Sequence, residues 1–192
     1  MARADHRDGE KSINFTTEKK ILLHSLDYAK YEDEFEVPFA ISQEGIARAV
    51  GIRRDNVPRA MRRLKEDGVV YEKVVRVHGV KRRRKVYFLT ARGKDVAIKL
   101  RRRAEESPVT LVDEEGEERT MTMGEAVRFL LEHTTAPVSL ATVVKFYVRD
   151  GNVDVKEYVR GLQSMDEADE KSDSGKVAMV SDAPRFKHFV GR

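Results

Sequence analysis

The sequence predicts a mainly α chain with small β-hairpins, divided into a basic N-terminal unit and a smaller, acidic, α-rich one. Three observations predict it. Apolar residues recur at helical spacing along most of the chain and change to the strand period over 69–90 and 108–122. The 192 residues carry a formal charge of only +4, but residues 1–106 hold 26 Lys and Arg against 17 Asp and Glu, a net +9, and residues 107–192 hold 11 against 16, a net −5. Within the first part, residues 42–103 hold 20 basic and 6 acidic residues, a net +14. A strongly basic stretch in a nearly balanced chain points to a polyanion partner for that stretch alone. At about 100–200 residues per domain, the length fits one domain or two small ones.

The elements follow in order. Residues 1–16 are polar and lack periodicity, which predicts a tail. Thr17 is placed to cap a helix from Glu18 to about Lys30, with Ile21, Leu22, Ser25, Leu26 and Ala29 inward. The YEDEFEVPFAI segment carries Pro38 and reads as a loop and a short extended piece. Ser42 caps a second helix over 43–50, and Gly51 stands at the C′ position where a left-handed residue ends a helix. Pro58 belongs in the first turn of a third helix. This makes Asp55 the expected N-cap of a helix running to about Asp67 and stopped by Gly68. VVYEKVVRVH and KVYFLT are rich in β-branched and aromatic residues, so 69–90 reads as a two-stranded ribbon with the basic run Lys81–Lys85 at its tip. Thr90 caps a fourth helix over about 91–106.

After Pro108 the composition turns acidic. VTLVD and ERTMT form a hairpin around Gly116, and Thr122 with Glu125 is a capping box for a helix to about His133. Ser139 caps a further helix ending near Asp150. Asp154 with Glu157 is a second capping box, for a helix to about Gln163. Val127, Phe129, Leu130 and Leu131, then Leu140, Val143, Val144, Phe146 and Tyr147, are enough for a small core or for a partner face. Residues 164–192 read as a charged linker and tail. The division is therefore 1–16 tail, 17–106 basic unit, 107–163 acidic unit and 164–192 linker.

Helix, short strand, helix, tight turn, helix, basic hairpin and helix is the order of a winged helix-turn-helix. In that arrangement the third helix, 54–67, enters the major groove and the wing at 79–85 follows the backbone or minor groove. At 100° per residue, Val57, Ala60, Met61 and Leu64 face the core, Arg59 and Arg62 lie opposite, and Asn56 and Arg63 flank them. Arg pairs in bidentate fashion with guanine, and Asn with adenine. Arg53 and Arg54, in the preceding turn, are candidate phosphate contacts. The adjacent cations Lys81, Arg82, Arg83, Arg84 and Lys85 repel one another, and a polyanion relieves that repulsion. The competing readings are a solvated helix face with Arg62–Glu66 pairing and a hydrated turn that keeps a strand edge soluble.

Residues 18–100, with ILLHSLDY, QEGIARAVGI, VPRAMRRLKEDGVV and RRRKVYFLTARG, resemble archaeal winged-helix proteins grouped with MarR-like regulators. The resemblance implies sequence-specific DNA binding through Asn56, Arg59, Arg62 and Arg63, with the wing at Lys81–Lys85. It departs at Pro58, where such helices often carry a Ser or Thr hydroxyl for phosphate. A second resemblance lies at 184–192: PRFKHFVGR is similar to the F-x-GR box just upstream of the P-loop in AAA+-like signalling ATPases of the STAND type. It implies that the chain is the N-terminal part of a longer protein. An ordinary basic tail is the other reading, and the sequence leaves both open.

Catalytic and cofactor chemistry is not expected. Zero cysteine excludes disulfides, thiol catalysis and cysteine-ligated metal. Ser174-Gly175-Lys176 lacks the spacing of a phosphate loop. The five histidines lack metal-ligand spacing, and 113–118 reads as a solvated acidic turn. No apolar run reaches the roughly 18 residues of a membrane span, and the start has no signal-peptide pattern. The expectation is a cytoplasmic, non-enzymatic transcriptional regulator that binds duplex DNA, without cofactor, metal or membrane partner. A homodimer and a protein partner for 107–163 are both compatible with it. The alternatives are the winged-helix adaptor or sensor region of a larger signalling ATPase, and an RNA-binding module.

Overall fold

The computed structural model describes residues 13–112, 116–133, 138–146, 152–154 and 160. The expected tail up to residue 12, the turn at 113–115, the helix end at 147–150, nearly all of the segment expected to be helical up to Gln163, and the 164–192 linker with its PRFKHFVGR box lie outside these residues.

α1 is Thr17–Asp27, capped by Thr16, whose Oγ1 accepts from the Lys19 N–H at 3.4 Å. The expected cap, Thr17, is instead the first helical residue. The helix also stops three residues short of Lys30. Tyr28 leaves the helical region, and a 3-10 turn, Ala29–Tyr31, carries Tyr28 and Tyr31 onto the β-ribbon. β1 is Glu36–Val37, and α2 is Gln43–Val50. The Ser42 hydroxyl accepts from the Gly45 N–H at 3.1 Å, and Gly51 ends α2 at φ 70°. A 3-10 turn, Arg54–Asn56, precedes α3, Val57–Glu66, so Asn56 and not Asp55 is the cap position. The Asp55 carboxylate meets Arg53 at 3.3 Å instead of capping, and Pro58 still sits in the first turn, where no intrahelical N–H is lost. Val57, Ala60, Met61 and Leu64 face inward as their spacing predicts.

β2, Val70–Val77, and β3, Val80–Leu89, pair antiparallel, and β1 pairs parallel with β2. The hairpin turn is His78-Gly79, with Gly79 at φ 71°. Lys81–Lys85 therefore do not form the expected tip but run along β3. Four consecutive residues, Val86 to Leu89, are buried because both faces of the ribbon base are covered. Tyr87 and Leu89 pack with Ile21, Ile46, Val57 and Met61, while Val86 and Phe88 pack with Val37, Ile41 and Val77. α4, Ala91–Glu105, is capped by Thr90, which accepts from the Gly93 N–H at 3.0 Å. A Cβ at Gly93 would stand 1.9 Å from the Val69 carbonyl oxygen, so only glycine lets α4 lie this close to the ribbon.

β4, Pro108–Val112, and β5, Glu118–Thr122, form the expected hairpin. α5, Met123–His133, opens on the Thr122/Glu125 capping box, its two backbone bonds 2.8 and 3.2 Å long. α6 is Leu140–Phe146, with the Ser139 hydroxyl accepting from the Thr142 N–H at 3.1 Å. β6, Asn152–Asp154, pairs parallel with β4 through Leu111 and Val153. This strand was not legible in sequence, since three residues are too few to show a period. The fold is thus a winged helix-turn-helix followed by a three-stranded sheet with two helices.

α1 serves both cores. Ile21 and Leu22 belong to the helix-turn-helix core, whereas Leu23 joins Ala104, Leu111, Met123, Leu130, Val143, Val144 and Val153. His24, Ser25 and the side chain of Asp27 are buried as well. Asp27 takes a 2.6 Å bond from Arg101 of α4, and burial pushes its carboxyl up against the downward pull of that guanidinium. His24 is 5% exposed and donates from Nε2 to the Ala40 carbonyl at 2.9 Å.

Burial lowers the His24 pKa. The unfolded chain titrates near 6.5, so below that pH it takes up a proton that the folded state refuses. As pH falls below that value stability therefore falls too, by at most about 1.4 kcal/mol per unit, until the lower folded-state value is reached. Glu18 and Glu72, whose values are lowered, lose their contribution only as pH falls below 4.5, and raised Asp27 acts with the opposite sign. Urea unfolding should show lower midpoints at pH 5.5 than at 7.5, with the difference largely gone in His24→Gln, which keeps an amide donor for Ala40. Identical profiles for the two proteins would contradict this role of His24.

Candidate nucleic-acid interface

The core side of α3 leaves its other side to solvent, and every residue singled out from the sequence there is exposed: Arg53, Arg54, Asn56, Arg59, Arg62 and Arg63. Their side chains differ in what they touch. Arg63 reaches back to Glu18 of α1 at 3.0 Å, and Arg53 pairs with Asp55. Arg54, Arg59 and Arg62 enter no ion pair among the described residues, and the Arg62–Glu66 bridge that would have marked a merely solvated face does not form there.

Lys81, Arg82, Arg83, Arg84 and Lys85 are all exposed on β3. The ladder is regular from Val70↔Leu89 to Val75↔Arg84 and resumes at Val77↔Val80. Between these pairs Arg76 alone opposes Lys81, Arg82 and Arg83. An irregularity of this kind bends a strand and re-aims its side chains. Arg76 adds a further cation that the sequence reading passed over; its place beside the run depends on the register shift, which has no sequence signature.

Glu72 joins helix to ribbon. Its two carboxylate oxygens accept from Lys65 of α3 at 2.8 Å and from Lys85 of β3 at 3.3 Å. The hydrogen bonds from Lys65, then from Lys85, hold the Glu72 carboxyl below its usual range. These pairs are solvent-exposed, so their effect on stability is small. What they do is set the outward side of α3 and one face of the ribbon side by side. Val70, Glu72 and Val74 share that face with Lys85, Tyr87 and Leu89 through direct cross-strand pairing.

Other chemistry is sparse. Among the described residues no group of three His, Asp or Glu is placed to hold a metal ion. His24 and His133 each bond a backbone carbonyl, His133 also stacking on Phe129 at 4.0 Å. A shallow depression between β5 and α5 is lined by Thr120, Met121, Glu125, Arg128, Phe129 and Glu132. No helix among the described residues is long and apolar enough to cross a membrane.

Fold and surface together define a winged helix-turn-helix with exposed cations on α3, in the turn before it and along β3. No protein-family model and no curated protein matches the chain. Among solved structures it is similar to MepR, a transcription regulator of the Staphylococcus aureus multidrug efflux pump MepA, at 21% identity over 46% of this chain and 57% of that one, with a TM-score of 0.34. A MepR mutant from a multidrug-resistant S. aureus clinical isolate matches at 25% identity over 45% and 56% of the two chains, with a TM-score of 0.33. Another S. aureus MepR mutant matches at 14% identity over 83% and 81%, with a TM-score of 0.34. The chain spans a little over half the length of the first two.

Glu72→Gln removes the carboxylate that neutralises Lys65 and Lys85. It should steepen the salt dependence of heparin binding by about one to two in log–log slope, with folding stability changed by less than about 1 kcal/mol. An unchanged slope would show that these lysines do not belong to the polyanion face.

Proposed function

We propose that the chain is a DNA-binding transcriptional regulator, with α3 in the major groove and the β2–β3 ribbon along the backbone or minor groove. One observation carries this reading: Arg54, Arg59 and Arg62, without an ion pair among the described residues, and the exposed run Lys81–Lys85 lie on elements joined through Glu72. A duplex offers one phosphate charge per roughly 1.7 Å of axis, and cations on both a protruding helix and a ribbon suit base edges and backbone together. Arg59 and Arg62 are the base-reading candidates, with Asn56 beside them; Arg53, Arg54 and Lys81–Lys85 are the phosphate contacts. Arg63 joins them by exchanging Glu18 for phosphate.

In this reading residues 17–106 bind DNA and 107–163 position that unit. α6 packs against α1 and α2, and the aliphatic chain of Lys145 comes within 3.2 Å of where a Cβ would stand at Gly51, the turn before α3. The acidic composition of 107–163 keeps it off the duplex and leaves it for protein contact. A two-fold dimer on palindromic half-sites is the arrangement that would give such a unit specificity. The MarR-like grouping and a cytoplasmic setting belong to the same proposal.

Duplex affinity should fall steeply with salt, with a log–log slope on the order of −5 for about six phosphates. Replacing Lys81–Lys85 with neutral residues should weaken all sequences alike. Arg59→Ala or Arg62→Ala should also erode preference for a selected site, by about 1–3 kcal/mol for a bidentate base contact. Absence of duplex binding at low ionic strength would overturn the proposal, and tighter binding to structured RNA than to DNA of equal length would redirect it.

A further inference from the structure

The two most exposed large apolar side chains among the described residues are Phe35, 72% exposed, and Val74, 56% exposed. Both lie beside Arg76. Val75 and Val77 of β2 turn into the apolar cluster with Val37 and Phe88, so Arg76 between them projects to the opposite face, the one that carries Glu72 and Val74. Phe35 reaches Arg76 from the loop before β1, and the guanidinium lies over the ring, 5.5 Å from its centroid.

The ring is held in place from both ends of its loop. On one side Glu32 is bonded by Lys94, by the Tyr71 hydroxyl at 2.6 Å and, through its carbonyl, by Lys73 at 2.9 Å. On the other side Glu36 and Val37 pair with Arg76 and Val77 of β2. Glu36 stands in register beside Arg76, yet the two form no ion pair among the described residues, and the guanidinium rests on Phe35 instead. A stacked guanidinium is weakly hydrated and keeps its in-plane N–H donors for a further partner.

This arrangement differs from the run Lys81–Lys85. Arg76 is one donor group between two apolar side chains, and Asp33, Glu34 and Glu36 beside the ring in sequence are exposed carboxylates. Such a setting is poor for gathering phosphates. It suits a groove floor, where an arginine meets base acceptors and apolar side chains meet sugars. The spacing selects the groove. Glu72 is bonded to Lys65 of α3, and Arg76 follows it by four positions on β2, about 13 Å along the strand. The major groove is roughly 12 Å wide, so with α3 inside it Arg76 falls past its edge, at the neighbouring minor groove.

We propose that Phe35 is a positioning residue that presents Arg76 to the minor groove, so that this end of the ribbon prefers grooves without the guanine amino group. The inference rests on the DNA-binding reading. It adds a base-reading residue on β2 and a support for it in the loop before β1.

Fluorescence anisotropy of the full chain tests it, with two duplexes of one sequence that differ only in carrying inosine for guanine. Inosine keeps the major-groove acceptors of guanine and lacks its minor-groove amino group. The unaltered chain is expected to bind the inosine duplex at least about threefold more tightly. Phe35→Ala and Arg76→Lys should each bring that ratio to about one with the salt dependence unchanged, since no charge is lost. Phe35→Tyr keeps a ring and should retain the ratio. Arg76→Ala should remove the preference and also reduce the magnitude of the log–log salt slope by about one. Circular dichroism melting separates the roles: a merely structural Phe35 would lower the melting temperature on substitution and leave the ratio alone. A ratio near one in the unaltered chain, or a preference that survives Phe35→Ala, would overturn the inference and leave the DNA-binding reading standing. Absence of binding to either duplex at low salt would overturn both.

Discussion

The two-sided burial of the ribbon base is the constraint on which the rest of the structure depends. Val86 and Phe88 enter one apolar cluster, and Tyr87 and Leu89 enter another, so the last four residues of β3 are locked from both faces. Each such side chain contributes about 1.5–3 kcal/mol of burial free energy. That anchorage lets the outer half of the same strand consist almost wholly of cations, which gain nothing from packing and repel one another. It also fixes the ribbon beside α3, because Tyr87 and Leu89 share their cluster with Val57, Met61 and Leu64. The cationic face is a by-product of the core's geometry, and it persists without any polyanion to hold it.

α1 plays the complementary part. It lies between the helix-turn-helix core and the core of the acidic unit and sends adjacent residues into each. Consecutive burial of Ile21, Leu22, Leu23, His24 and Ser25 is too wide for a one-sided amphipathic helix. The Asp27–Arg101 bond ties its end to α4 in a setting where breaking one partner costs several kcal/mol. The acidic unit is packed on the helices that support α3, with α6 against α1 and α2 and α5 against α4.

Much of this was legible in the sequence, and the parts that were not share a physical cause. Ser42, Gly51, Thr90 and the Thr122/Glu125 box announce themselves because caps and left-handed turns depend on one or two residue types at fixed offsets. The inward face of α3 follows from its period. The caps of α1 and α3 fell one residue from expectation, since neighbouring Thr16 and Thr17, or Asp55 and Asn56, are equivalent until a tertiary contact chooses between them. Five adjacent cations read as a loop and predict a tip at 81–85, whereas pairing of Val77 with Val80 puts the turn at His78-Gly79. The register shift opposite Arg76, the wide burial of α1 and the short parallel strand β6 all arise from long-range pairing or packing, which leaves no periodic trace.

The central claim is that α3 and the ribbon act as one surface toward duplex DNA, with the acidic unit turned away from it. Amide chemical-shift mapping of the isotope-labelled chain, titrated at low salt with a short duplex, addresses it most directly. The account predicts that shifts concentrate at 53–63 and 76–85 together, while amides at 118–132 stay in place. Shifts confined to the acidic unit, or no shifts with duplex in excess, would contradict it.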